Sequence, residues 1–227
     1  MKIKLTSLLG AIALIMGALT SPIMAGSFGL GITGAGTYLE TTGTETLKDT
    51  SIETKGQEEN DLVVPSVFVQ YTHDLGWVLG MDYIPVDAEL GDRSVTKTDV
   101  TAAGGAADTI TQKGAADFTD HIGFYIETPG WGPAGLYAKA GWSRVKVTTN
   151  ESLGTGSTYS NSRVDGTSWG LGMKRQLESG LLLKLEASTT EYDSISLTGV
   201  DGGDSQDNTI TADSQATQLR FSIGYNF

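Results

Sequence analysis

Eight times along this chain, apolar and polar residues alternate at every step, the period of an extended strand whose side chains point to opposite faces. The last stretch, "TQLRFSIGYNF", sets Leu219, Phe221, Ile223, Tyr225 and Phe227 on one parity against Gln218, Arg220, Ser222, Gly224 and Asn226 on the other. The same pattern runs through "FGLGITGAG" (Phe28, Leu30, Ile32), "VVPSVFVQYTH" (Val63, Val67, Val69, Tyr71) and "WVLGMDYIPV" (Trp77, Leu79, Met81, Tyr83). It returns in "FTDHIGFYIE" (Phe118, Ile122, Phe124, Ile126) and in "GLYAKAGWSRVKV" (Leu136, Ala138, Ala140, Trp142), where the parity suggests a bulge near Arg144. "SWGLGMKRQL" (Trp169, Leu171, Met173) and "LLKLEAST" (Leu183, Leu185, Ala187) complete the set. A chain patterned this way folds as β-sheet. With 30 Gly among 227 residues it also lacks the makings of long helices.

The connections alternate too. Strands two and three, four and five, and six and seven are joined by short turns, of which "TPGWGP" is marked by its Pro and Gly. The other links, near residues 40–61, 88–116, 149–163 and 197–215, are long and polar. Short and long links in strict succession fit an eight-stranded antiparallel up-and-down transmembrane β-barrel, an all-β fold with both chain ends on the short-turn side. A strand of about 10 residues tilted by about 45° spans roughly 23 Å, close to the apolar band of a bacterial outer membrane.

The N-terminus agrees with export. Lys2 and Lys4 precede an apolar run from Leu8 to Leu19, then Ser21, Pro22 and Ala25, the pattern of a signal peptide over residues 1–25 that is removed, leaving 26–227 as the barrel domain. With 0 Cys, an exported chain of this size is held without disulfides. Loss of Lys2 and Lys4 leaves 13 basic against 27 acidic residues, a net charge near −14 that excludes nucleic acid as a partner.

If the apolar parity faces lipid, the interior of the barrel receives Gly, Ser, Thr and a set of charges: Asp82, Glu127, Lys139, Lys174, Lys184, Glu186 and Arg220. An eight-stranded barrel is only wide enough to be filled by side chains, so these residues are expected to form an ion-pair network that plugs the lumen. Trp77, Tyr225 and Phe227 lie beside strand ends on the turn side, where an aromatic girdle meets a membrane interface. These aromatic positions and the small residues of the inward parity favour the apolar face outward, with a soluble lipocalin-like barrel as the alternative.

The whole segment after residue 25 resembles the small eight-stranded outer-membrane barrels of the outer-membrane protein A and opacity-protein type. The resemblance lies in the signal peptide, the strand count, the alternation of links and the terminal "GYNF". It implies that Phe221, Ile223, Tyr225 and Phe227 form the C-terminal signal recognised by the barrel-assembly machinery. It also implies outer-membrane lipid and lipopolysaccharide as surroundings, and the outer membrane of a Gram-negative-type bacterium as location.

Chemistry is sparse. Some small outer-membrane barrels modify lipid A with His and Ser, which makes His121 a candidate, but a histidine hydrogen-bonded inside the lumen is the preferred reading of it; the other histidine, His73, lies by a turn. No catalytic residues, metal ligands or cofactors are expected: no Cys nucleophile is present, and "DGGDSQDN" (201–208) lacks the spacing of a calcium loop. "GLGITGAG" reads as a glycine-faced strand, not a phosphate loop. The expected role is structural or surface-interacting. A narrow porin-like channel and, further off, a lipid-A-modifying enzyme are the alternatives. The first long link, with Glu40, Glu45, Asp49, Glu53, Glu58, Glu59 and Asp61 against Lys48 and Lys55, and the last, with Asp201, Asp204, Asp207 and Asp213, read first as a solvated hydrophilic coat and otherwise as the place for a surface ligand of unknown identity, or for divalent cations shared with lipid heads.

Overall fold

The structure, a computed structural model, describes residues 26–46, 53–100, 107–152, 158–199 and 209–227. The expected signal peptide therefore lies outside the described residues, as do Lys48, Asp49, Asp201, Asp204 and Asp207. Ten strands are present: β1 Gly26–Thr46, β2 Glu53–His73, β3 Val78–Ile84, β4 Ala88–Val100, β5 Ala107–Glu127, β6 Leu136–Ser152, β7 Ser162–Gln176, β8 Leu181–Tyr192, β9 Ile195–Thr198 and β10 Thr209–Asn226. Eight of them form a ring, β1-β2-β3-β5-β6-β7-β8-β10, closed by pairing of β1 with β10. All pairings are antiparallel. β4 and β9 continue β3 and β8 outward after short interruptions at Pro85–Asp87 and Asp193–Ser194, pairing with β5 and β10.

Closure removes the edges that a sheet would otherwise expose in lipid. Following directly paired residues around the ring leads from Leu30 through Val69, Met81, Phe124, Trp142, Thr167, Glu191 and Gln215 to Glu40, ten residues further along β1. A shear of ten over eight strands, at about 3.3 Å per residue and about 4.8 Å between strands, sets the tilt at about 41°.

The apolar parity faces outward. Leu30, Ile32, Leu79, Phe124, Ile126, Trp169, Leu171, Leu219, Phe221 and Ile223 are all exposed large apolar residues, most 40–70% accessible. On β1 this belt runs from Leu30 to Tyr38, about 20 Å along the barrel axis at that tilt. Such a continuous apolar surface has no counterpart on a soluble monomer.

Three features depart from the pattern in the sequence. Phe118 does not share the outward face of Ile122 and Phe124; it is buried inside the barrel. The ladder between β5 and β6 shifts between Thr119 and Ile122, where Asp120 adopts a positive φ of 52°. One extra residue reverses the parity of everything beyond it. The bulge suggested near Arg144 is thus on the opposite strand: β6 keeps one parity throughout, and Val145 and Val147 stay inside. The long links are also largely strand. Glu40 and Glu45 lie on β1, Glu53, Glu58, Glu59 and Asp61 on β2, and the ribbons project well past the belt. Their polar faces gave no apolar alternation to mark them, because both sides meet water.

Candidate functional site

The interior has two tiers. Toward the turn end it is polar and charged, and all seven charged residues expected in the lumen are there. Glu127, fully buried on the last position of β5, is paired with Lys184 of β8 and with Lys174 of β7 at 3.2 Å. Glu186 of β8 receives Lys139 of β6 at 2.9 Å, the Tyr137 hydroxyl at 2.9 Å and, more distantly, Arg220 Nε at 3.6 Å. Arg220 of β10 crosses the barrel to Asp82 of β3 and donates to Gln218 Oε1 at 3.2 Å. Gln70 accepts from Lys184 at 3.2 Å, and Asn226 donates to Gln176 at 2.8 Å, which extends the network to the barrel mouth.

Three carboxylates face four cations in this network. Aromatic faces take up the imbalance. The Lys139 ammonium lies 4.4 Å from the centre of the Tyr125 ring and that of Lys174 4.9 Å from Tyr137, while Lys184 is within 5.5 Å of Phe68, Tyr125 and Tyr137. A cation over a ring face in a desolvated site gains up to about 2 kcal/mol. Phe68, Tyr125 and Tyr137 are interior residues that the expectation of a Gly, Ser and Thr lining overlooked. Their parity shows it: Phe68 shares that of Gln70, Tyr125 that of Glu127, and Tyr137 that of Lys139. Glycines make room for the rings. A Cβ on Gly80 would run into Tyr125, and one on Gly172 into Tyr137.

Toward the open end the interior turns apolar. Leu39, Leu90, Phe118, Val145, Val147, Val164, Ile195 and Ala216 form one buried cluster across the barrel. Between the tiers lies a space of about 50 Å³ bordered by Asp82, His121, Ser143, Thr190, Tyr192 and Arg220, room for a small number of waters. His121 contacts the Tyr192 hydroxyl through Nε2 at 3.3 Å; its Nδ1 and the Ser143 hydroxyl make no hydrogen bond with protein. Among the described residues, no serine makes a hydrogen bond to the imidazole.

Of the residues expected to carry the assembly signal, Phe221, Ile223 and Tyr225 point outward from β10, and Phe227 follows the strand with its N–H bonded to the Phe28 carbonyl at 2.7 Å. Tyr225 and Phe227 stack edge to face at 5.1 Å, and Trp77, also at the turn end, is 43% exposed.

Just beyond the belt, Arg144 and Asp165 form an outward-facing bidentate pair at 2.6 and 2.9 Å. The hydrogen bond from Arg144 holds the Asp165 carboxyl below its usual range. Further out, burial and the neighbouring Asp87 raise Asp117, against a hydrogen bond from Asn150. Among the described residues, no group of three or more His, Cys, Asp or Glu is arranged to hold a metal.

No family model matches the chain, and no curated protein matches it. Among solved structures, it is similar to the outer membrane protein OprG of Pseudomonas aeruginosa at 12% identity, over 90% of this chain and 97% of that one, with a TM-score of 0.45. It is similar at 11% identity to the outer membrane protein AlkL, over 92% and 93% of the two chains with a TM-score of 0.47. The outer membrane protease OmpT of Escherichia coli is similar at 8% identity over 91% and 99%, with a TM-score of 0.46. At these values the likeness is one of outline alone.

Proposed function

We propose that this chain is a bacterial outer-membrane barrel with a structural or surface-interaction role and a lumen closed to solutes. The observation that carries this is the double closure of the interior: a charged tier knit by ion pairs below, an apolar tier above. A hydrated ion would have to break Glu127 from its two lysines and then cross a dry cluster. The outward belt of about 20 Å, with Trp77, Tyr225 and Phe227 at its turn-side margin, supports a transmembrane setting in contact with outer-membrane lipid and lipopolysaccharide. Outward residues at alternate positions of β10, ending in Phe227, suit recognition by the barrel-assembly machinery. Recordings in planar bilayers test the closed lumen. No steady conductance is expected from the wild type at moderate voltage, and a reproducible open level would sink this reading in favour of a narrow channel.

A further inference from the structure

The outer half of β2 is a bare strand edge. β2 pairs with β1 over its whole length, from Gly26↔His73 to Thr46↔Glu53, yet with β3 only from Val67 to Thr72. β4, which continues β3 outward, gives its ladder to β5. From Glu53 to Ser66 the second edge of β2 therefore makes no backbone ladder with another strand among the described residues, although the start of β4 lies close to it near Asn60. The hydrogen bond that spans the gap among these residues runs from Asn60 Nδ2 to the Leu90 carbonyl at 3.1 Å. Every second residue of such an edge presents its N–H and C=O sideways, unpaired.

This edge is well supported. Beyond the belt β1 is also paired to β10 as far as Thr46↔Thr209, and β10 to β9, so β2 borders a sheet of four strands, enough to stand in water without a partner. Residues Glu53–Glu59 are exposed on both faces. Their charge selects what can pair. Glu53, Glu58, Glu59 and Asp61 stand against the single Lys55, and Glu40 and Glu45 lie on the adjacent strand. Glu40 and Glu59 are direct cross-strand neighbours, held together by the Gln57 amide, which donates to both at 3.0 and 3.1 Å. A second copy of this edge would set carboxylates against carboxylates, a cross-strand arrangement that repels.

We propose that Glu53–Asp61 of β2 is a strand-addition site for an extended cationic segment of a partner protein, which would lengthen the outer sheet by one strand while its lysines or arginines neutralise the acidic row. Backbone pairing supplies the affinity of such docking and side chains its selectivity. This deepens the surface-interaction reading, and the two fail separately: an edge that binds nothing leaves a closed barrel, and a conducting barrel leaves the edge intact.

The test uses the full barrel in neutral phosphatidylcholine nanodiscs at physiological salt, with a labelled ten-residue peptide of alternating Lys and Val or Thr as probe. Micromolar binding is expected, with amide exchange slowed at least tenfold at alternate positions between 53 and 61. The same peptide N-methylated at every amide keeps its charge but cannot pair, and should bind at least tenfold more weakly. Glu58→Gln with Glu59→Gln should weaken binding and keep the protected positions. Equal binding of the methylated peptide would reduce the surface to an electrostatic coat. Absence of binding, protection elsewhere, or dimerisation of the barrel through this edge would each overturn the proposal.

Discussion

Glu127 is the carboxylate that ties two lysines of the lumen together. It is fully buried, and its two oxygens hold Lys174 and Lys184. Its replacement by Gln strands two cations in a low-dielectric interior, and such a loss typically costs about 3–5 kcal/mol. Denaturant unfolding of Glu127→Gln in micelles should show that loss, and an unchanged midpoint would mean the lumen is wet enough to screen the pairs. The outward pair Arg144–Asp165 behaves differently. Because Asp165 titrates lower when folded than when unfolded, the stabilisation it provides is complete above the ordinary carboxylate range and fades as pH falls through the lowered value. Arg144 is exposed and Asp165 about one-third so, so the effect is small. An NMR titration of the Asp165 carboxyl should move back up in Arg144→Gln; a titration that does not move would remove Arg144 as the cause. The charged lumen residues were legible because a charge on a strand's polar parity has few places to go in a barrel. Their pairing was not, since the cross-barrel approach of Arg220 to Asp82 depends on shear, which no local pattern encodes.

Among the elements, β5 is the one whose sequence misleads. "FTDHIGFYIE" alternates without a break on paper, yet Asp120 is inserted as an extra residue and Phe118 turns inward. A bulge leaves no mark in hydropathy when the residues on either side are apolar on the same parity. Deleting Asp120 should restore plain register and turn the outer part of β5 inside out, or force the ladder with β6 to slip. A cysteine placed at residue 118 reports which: it should resist a water-soluble maleimide in the parent barrel and react in the deletion variant, and equal protection in both would show that the ladder slips and β5 does not invert. The ribbons beyond the belt were equally hidden. Strands such as Glu53–Glu59 are exposed on both faces, so nothing in their sequence distinguishes them from loop. The strands inside the belt were legible because lipid on one side and a packed lumen on the other impose the alternation.

For the molecule as a whole, ring closure rests on the pairing of β10 with β1, from opposite ends of the described chain. Removing Phe227 takes away the N–H bond to Phe28 and the ring stacked on Tyr225. If the C-terminal pattern also addresses the chain to the assembly machinery, the truncated protein should accumulate in the periplasm, measured by fractionation and protease sensitivity. Wild-type levels of folded barrel in the membrane would separate the residue from that role. The two interior tiers carry a consequence of another kind. Contact among Leu39, Phe118, Val145 and Val147 draws on a driving force that weakens on cooling and is accompanied by a large heat-capacity change. The ion pairs below draw on one whose desolvation penalty shrinks as temperature rises. One barrel wall is thus tied at its two ends by forces with opposite temperature dependence. The outer end is the one expected to loosen first in the cold and the turn end the one expected to hold in the heat, so the two ends of the lumen should lose their packing at opposite extremes of temperature.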